Sequence, residues 1–285
     1  MATIPQLISI VTGGFLGVKP VTQSSGSSSA GSLVALNSSG LVDSTMLPPT
    51  NQVLGGGAAV LSASQTVLMV CLPYSGTLPA NFTGSTASCQ TTATDSATFT
   101  VYHIPSGTNT QNNIGTITFA PSAYTATFSS STAATIGVGD TIQIIAPSTV
   151  DATLATVAIS LFFQPTTNVM SISGGAGTLT ASSILLAYCS TVAGSISTNF
   201  GGSVASCLSP ATDSTTFTIY HIPSGTNTQT EIGTMIFAPN EYTATFESSS
   251  GADLAFAIGD TLMILCPSTA DATLANITCS IVGVN

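Results

Sequence analysis

Apolar and polar residues alternate along most of the chain, which is the pattern of half-buried β-strands. In residues 97–104, ATFTVYHI, the side chains of Phe99, Val101 and His103 share one face, and the intervening threonines and Tyr102 share the other. In residues 157–163, VAISLFF, every second residue is apolar. Such runs predict strands near 67–73, 85–91, 97–104, 114–119, 123–128, 141–146 and 154–163.

The gaps between these runs are rich in Gly, Pro, Asn and Asp, which are turn residues. No segment has a sustained helical stripe of apolar residues. Short strands that recur at short spacing are typical of antiparallel sandwiches. The pattern therefore predicts an all-β protein of jelly-roll-like antiparallel β-sandwiches, with about seven or eight strands in each.

The chain also repeats itself. The segment TFTVYHIPSGTNTQ at 98–111 returns as TFTIYHIPSGTNTQ at 216–229, with Val101 replaced by Ile219. The 285 residues therefore hold two copies of one unit, each long enough to bury its own core. We expect an extended N-terminal anchoring segment at 1–50, a first β-sandwich at 51–165 and a second at 166–285.

Both copies carry a Gly-Asp turn, a strand, a Pro and a further Asp, in the segments VGDTIQIIAPSTVDATLATV and IGDTLMILCPSTADATLANI. The second aspartate, Asp151 or Asp271, is placed to close an Asx turn, and the segment is expected to form a hairpin. Backbone capping is the ordinary role for Asp140 and Asp260 in the Gly-Asp turns. A calcium site at these loop acids and a carboxylate pair for glycoside hydrolysis are the alternatives.

Composition excludes two classes of partner. The chain has one Lys or Arg against eleven acids and a net charge of −10, so it cannot neutralise nucleic acid phosphates or an anionic membrane surface. Its apolar runs are all shorter than the roughly 20 residues that a membrane-spanning helix needs, so no membrane insertion is expected. The N-terminus lacks a basic region before its apolar part and is interpreted as mature sequence.

Two segments resemble structural proteins of tailed bacteriophages. These are GSLVALNSSGLVDSTMLPP at 31–49 and the run from IGTITFAPSAYTATF to VGDTIQIIAPSTVDATLATVAISL at 114–161. The resemblance implies a non-enzymatic virion protein, a fibre of two projecting modules, commonly a homotrimer, anchored on a capsid, neck or tail protein. A capsid decoration or cement protein and a cellular surface adhesin are the alternatives, and a polysaccharide depolymerase is the enzymatic one.

Two sets of residues are the candidate contact sites. The apolar positions of the leader would dock on the virion partner: Ile4, Leu7, Ile8, Ile10, Val11, Phe15, Leu33, Val34, Leu36, Leu41, Met46 and Leu47. The repeated loops would make adhesive contacts, with a host-surface glycan as one candidate ligand: His103, Ser106, Asn109 and Gln111, and His221, Ser224, Asn227 and Gln229.

The histidines and cysteines allow few kinds of chemistry. His103 and His221 follow Asp95 and Asp213, so each could serve as a general base, although a strand-end histidine bonded to a neighbouring loop explains the repetition equally well. The cysteines at matching positions suggest either one disulfide per module, Cys71–Cys89 and Cys189–Cys207, or small buried apolar residues. Since zinc-ligand, phosphate-loop and dinucleotide motifs are all missing from the sequence, no cofactor or metal is expected.

Overall fold

The computed structural model describes residues 51–167 and 170–283, which belong to one compact unit, Asn51–Asn285. The described residues form antiparallel sheets, so the all-β prediction is confirmed. Ten strands lie in each repeat rather than seven or eight. In the first repeat they are β1 (Gln52–Val60), β2 (Thr66–Cys71), β3 (Gly76–Leu78), β4 (Thr86–Thr91), β5 (Ala97–Ile104), β6 (Asn112–Phe119), β7 (Thr127–Ser129), β8 (Ala134–Ile136), β9 (Thr141–Ile145) and β10 (Ala155–Pro165).

The second repeat has the same strands in the same order. They are β11 (Met170–Thr178), β12 (Ile184–Cys189), β13 (Gly194–Ile196), β14 (Val204–Ser209), β15 (Thr215–Ile222), β16 (Thr230–Phe237), β17 (Ala244–Ser248), β18 (Leu254–Phe256), β19 (Thr261–Leu265) and β20 (Ala275–Gly283). A single 3-10 turn follows the third strand of each repeat, at Ala80–Phe82 and Thr198–Phe200.

Each repeat is a sandwich of two sheets. The large sheet has the order β2-β9-β5-β6-β7 in repeat 1 and β12-β19-β15-β16-β17 in repeat 2. The small sheet is formed by β1, β10 and β4 in repeat 1 and by β11, β20 and β14 in repeat 2. The short strands β3 and β8 pair with each other, as do β13 and β18. Strands β2 and β12 therefore lie at the edges of the large sheets.

A separate hydrophobic core fills each sandwich, within 54–163 in repeat 1 and 172–281 in repeat 2. The alternation predicted for β10 is confirmed, because Val157, Ile159, Leu161 and Phe163 are all buried between the sheets. The large sheet contributes Phe99, whose ring packs edge-on against a second phenylalanine of the same sheet at 5.9 Å. The matching phenylalanine pair of repeat 2 has the same tilt at 6.1 Å.

Two details differ from the prediction. Residues 52–60 form strand β1, although the run Gly55–Gly57 has few strand-forming side chains. A Cβ at Gly56 would lie 2.6 Å from the carbonyl oxygen of Val67, so glycine lets β1 cross closely over β2. The expected hairpin at residues 138–157 is wrong, because β9 pairs within the large sheet and β10 within the small sheet. The turn at Asp151 therefore carries the chain from one sheet to the other.

Candidate functional site

The repeated loop begins where β5 ends and closes on itself in a tight turn. The carbonyl oxygen of Pro105 accepts the amide N–H of Thr108 at 3.2 Å and its hydroxyl at 2.8 Å. Gly107 takes a φ of +73°, which costs glycine little. In repeat 2 the same bonds join Pro223 and Thr226, so identical sequence has produced an identical turn.

Asp140 fastens this loop to the Gly-Asp turn beside it. Its Oδ1 accepts the amide N–H of Ser106 at 2.9 Å, and its Oδ2 accepts the amide N–H of Gly137 at 2.7 Å. The Nε2 of His103 lies 2.6 Å from the same Oδ2. One carboxylate therefore joins the end of β5, the loop and the turn before β9.

Repeat 2 has the same arrangement around Asp260. The carboxylate accepts the amide N–H groups of Ser224 at 2.8 Å and Ala257 at 2.9 Å, and the Nε2 of His221 lies 2.8 Å away. The hydrogen bonds from the backbone of Ala257 and Ser224, with that from His221, lower the pKa of Asp260 to about 2. Burial opposes ionisation of Asp140, yet its three hydrogen bonds still hold its pKa below the ordinary value.

The histidine partners were not the ones that sequence proximity suggested. Asp95 does not contact His103; its own amide N–H is held by Asp151. Within the described residues, no serine or cysteine side chain is hydrogen-bonded to either histidine, so the geometry matches the strand-end interpretation. The signal available in the sequence was the recurrence of a Gly-Asp pair together with each histidine.

Asp151 and Asp271 form the Asx turns that the sequence predicted. The Oδ1 of Asp151 accepts the amide N–H of Thr153 at 2.8 Å, and Asp271 does the same for Thr273. Each also reaches across to the loop before the fifth strand of its repeat, where Asp151 accepts the amide N–H of Thr94 at 2.8 Å. These hydrogen bonds, the threonine hydroxyl of the Asx turn foremost, hold the pKa of both aspartates far below the ordinary value.

The loop side chains that were singled out are exposed in both repeats: Ser106, Asn109 and Gln111, and Ser224, Asn227 and Gln229. They differ in one contact. Gln111 donates from Nε2 to the Oε1 of Gln143 at 2.8 Å, whereas Met263 replaces that glutamine beside the second loop. The tip of the neighbouring Gly-Asp turn adds an exposed apolar side chain in each repeat, Val138 or Ile258.

A groove lies beside the loop in each repeat. In repeat 1 its volume is 540 Å³, and its lining includes His103, Asn113 and the residues 129–132 but no acidic side chain. The corresponding groove in repeat 2 has 220 Å³ and includes Glu231 and Asp253. The two copies therefore share one loop structure but present different charge beside it.

Of the two alternatives for the matched cysteines, the disulfides Cys71–Cys89 and Cys189–Cys207 are not formed in the structure. All six cysteines are free thiols, and Cys71 belongs to the large sheet whereas Cys89 belongs to the small sheet. The Sγ of Cys71 points to the carbonyl oxygen of Gly139 at 3.3 Å, outside the core that contains Cys89. Burial raises the pKa of the Cys71 thiol to about 11, and it raises those of Cys207 and Cys279 to about 12. Such thiols react poorly at neutral pH.

The predicted docking residues from Ile4 to Leu47 lie outside the described residues. Over 51–167 and 170–283, no group of three or more His, Cys, Asp or Glu side chains could hold a metal ion. The helical turns of this region are too short to cross a membrane.

Comparisons with known proteins do not identify a family. No protein-family model matches the chain, and no curated protein matches it. Among solved structures, a chain from infectious bursal disease virus, Gt strain, aligns with 84% of this chain and 80% of its own length at 10% identity. The TM-score of 0.14 is too low for that likeness to carry an argument.

Proposed function

We propose that this chain is a non-enzymatic structural protein of a phage virion, a fibre that projects its two β-sandwiches for attachment to the host. The observation that carries the proposal is the display of one loop twice, with its backbone fastened and its polar side chains exposed. In each repeat an aspartate and a histidine hold the loop, so the exposed amides and hydroxyls need little further ordering to bind.

Duplication gives such a loop a function that one copy lacks. Two weak sites on one chain bind with a raised effective concentration, which increases overall affinity by about 10² to 10⁴ when both engage. A homotrimer, as the phage resemblance implies, would display the loop six times. Asn109, Asn227 and the neighbouring hydroxyls suit the hydroxyl groups of a host-surface glycan, and Val138 or Ile258 supplies an apolar contact.

The hydrogen bonds and the lowered pKa values of the turn carboxylates support a structural role. Asp140, Asp151, Asp260 and Asp271 each accept backbone N–H groups, and the pKa of each lies below its ordinary value. A catalytic acid or base needs a pKa near the working pH, so carboxylates held in this way are poor candidates for it. The hydrogen bonds of Asp140 and Asp260 instead fix the loops that the fibre would present, and those of Asp151 and Asp271 fix the loops before the fifth strands.

The anchor in this proposal is the segment 1–50, whose apolar residues from Ile4 to Leu47 would dock on a capsid, neck or tail protein. Immunogold electron microscopy of the phage particle tests this assignment. We expect label at the base of a tail or neck projection. Label over the capsid lattice would instead assign the chain to a decoration protein, and absence from purified particles would contradict a virion role.

Binding of the purified full chain to host cells tests adhesion. Asn109→Ala or Asn227→Ala alone leaves one working loop per chain, so each should already lose the avidity of about 10² or more, and the double variant should lose the remaining binding. Thr98→Ala with Thr216→Ala is the matched control, because these threonines are exposed on the same strands away from the loops. Unchanged binding by the double asparagine variant, or cleavage of a host glycan by the purified protein, would contradict the proposal.

A further inference from the structure

The two repeats meet through an edge strand and the outer face of a sheet. Strand β2, at the edge of the large sheet of repeat 1, lies on the outer face of the small sheet of repeat 2. The amide N–H of Cys71 donates to the hydroxyl of Thr278 at 3.2 Å, and the hydroxyl of Ser280 donates to the carbonyl oxygen of Cys71. The hydroxyls of Thr141 and Ser206 lie 2.6 Å apart across the same contact.

This contact provides hydrogen-bond partners for the backbone of an edge strand without adding another strand to the sheet. Edge strands expose unpaired N–H and C=O groups and are normally covered or blocked. Here the hydroxyls of β20 take the place of a partner backbone, and Cys71, Thr278 and Ser280 are all fully buried. The contact is heterologous, because the surface that repeat 1 contributes differs from the surface that repeat 2 contributes.

Each repeat therefore also carries, uncovered, the surface that the other repeat contributes to this contact. We call these two surfaces the uncovered halves. The edge strand of repeat 2 is β12, where Ala187 and Cys189 occupy the positions of Met69 and Cys71 and are exposed. The outer face of the small sheet of repeat 1 is likewise uncovered in the described structure. Ala158 and Ser88 are exposed there, and Ser160 is half-buried.

The uncovered halves carry nearly the same hydrogen-bonding groups as the buried contact. Thr261 corresponds to Thr141 and pairs with Cys189 as Thr141 pairs with Cys71. On the other half, Ser88 corresponds to Ser206 and Ser160 to Ser280. Ala158 pairs with Ser88 in the sheet as Thr278 pairs with Ser206, so Ala158 holds the place of Thr278. The hydroxyl of Thr278 is therefore the one hydroxyl that this surface lacks.

The difference between the two edge strands adds apolar area to the uncovered one. Thr66 of β2 lines the groove between the repeats. Its counterpart on the uncovered edge strand β12 is Ile184, which is 57% exposed. A polar position of the internal contact is thus apolar on the uncovered β12 edge, which suits burial against a separate molecule.

We propose that copies of this chain associate head to tail. The β12 edge of one copy packs on the outer face of the small sheet in repeat 1 of the next copy, as β2 packs on repeat 2 within the chain. A heterologous contact of this kind closes into a ring or continues as a filament. Closure after three copies would produce a ring of six modules.

Sedimentation velocity of the full chain tests the association. The wild-type chain should form oligomers by ~100 µM. Ala158→Arg blocks the face of repeat 1, and Cys189→Arg blocks the β12 edge; each variant alone should sediment as a monomer. Thr98→Arg, exposed on the large sheet of repeat 1, is the matched control and should assemble like the wild type. A wild-type monomer at that concentration would overturn the proposal, and so would oligomers of both blocked variants.

Mixing the two blocked variants distinguishes a head-to-tail contact between two different surfaces from a symmetric contact between two identical ones. Each retains the half that the other lacks, so the mixture should form one-to-one dimers and nothing larger. Circular dichroism identical to the wild type shows that both variants are folded. A mixture that stays monomeric, although the wild type assembles, would overturn the pairing of these two surfaces.

Restoring the missing hydroxyl provides a gain-of-function test. Ala158→Thr recreates the group that Thr278 supplies inside the chain, so it should tighten association by about two- to tenfold. Hydrogen exchange addresses the other occupant, the segment 1–50 of the same chain. Protected amides at Ala187 and Cys189 in a protein that sediments as a monomer would assign the edge to that segment and overturn the proposal.

Discussion

Thr278 in repeat 2 is fully buried, whereas Ala158, which holds the same place in repeat 1, is exposed. The reverse holds for the edge strands, where Cys71 is fully buried and Cys189 is exposed. Inside the sandwiches the two repeats match, down to the paired phenylalanine rings. The difference shows that the duplicated unit has one core but two kinds of outer surface, and that the order of the repeats decides which surface is covered.

The largest expected effect tests whether the cores are equivalent. Phe99→Ala and Phe217→Ala should each destabilise its own repeat by about 3–5 kcal/mol, because each ring is fully buried against a second phenylalanine. Urea denaturation followed by tyrosine fluorescence measures both. If one variant were nearly neutral, the equivalence of the two cores would be wrong.

The next effect tests the difference between the outer faces. Thr278→Val removes a buried hydroxyl but keeps the shape, which leaves the amide N–H of Cys71 unpaired and should cost about 1–3 kcal/mol of unfolding free energy. Ala158→Val, the matched change on the exposed face, should stay within about 0.5 kcal/mol in dilute protein. Equal losses in the two variants would contradict the asymmetric contact.

A third prediction concerns the loss of stability in acid, and it tests the aspartates that hold the repeated loops, Asp140 and Asp260. The pKa of Asp260 is about 2 in the folded protein against 3.8 for the free side chain, so its carboxylate stabilises the fold above the higher value. That stability should disappear as the pH falls between these values, and Asp260→Asn should lose this part of the acid dependence. Asp140→Asn should behave in the same direction.

Denaturation midpoints from about pH 5 down to about pH 2 measure the effect, and the wild type is the reference at each pH. The difference in stability between wild type and Asp260→Asn should narrow on acidification. A difference that stays constant over this range would show that the carboxylate charge does not support the loop.

The smallest effect separates two loops of identical sequence. Gln111→Ala should cost about 1 kcal/mol, because the buried Gln143 loses the donor to its Oε1. Gln229→Ala should be neutral within about 0.5 kcal/mol, because Met263 lies where the first repeat has that glutamine. Thermal unfolding of both variants makes the comparison, and equal shifts would show that the loops do not differ in their anchoring.

Much of the fold was predictable from local pattern. The alternation in β10 and the Asx turns at Asp151 and Asp271 were recognised correctly, because each depends on residues close together in the sequence. Strand β1 was missed, since its glycines serve a close crossing over β2 that only the folded chain creates. The partner of His103 was missed for a similar reason, because Asp140 lies in the turn before β9, 37 residues further along the chain.

The sequence by itself determined that one β-sandwich is made twice, because the alternation of side chains and the turn residues recur in both halves of the chain. Only the tertiary structure decided that β9 and β10 separate into different sheets, and that the edge of repeat 1 is covered while that of repeat 2 is exposed. Alternation places a residue on one side of a strand. Whether that side meets solvent, the core or a neighbouring module depends on contacts between distant segments, which local pattern does not encode.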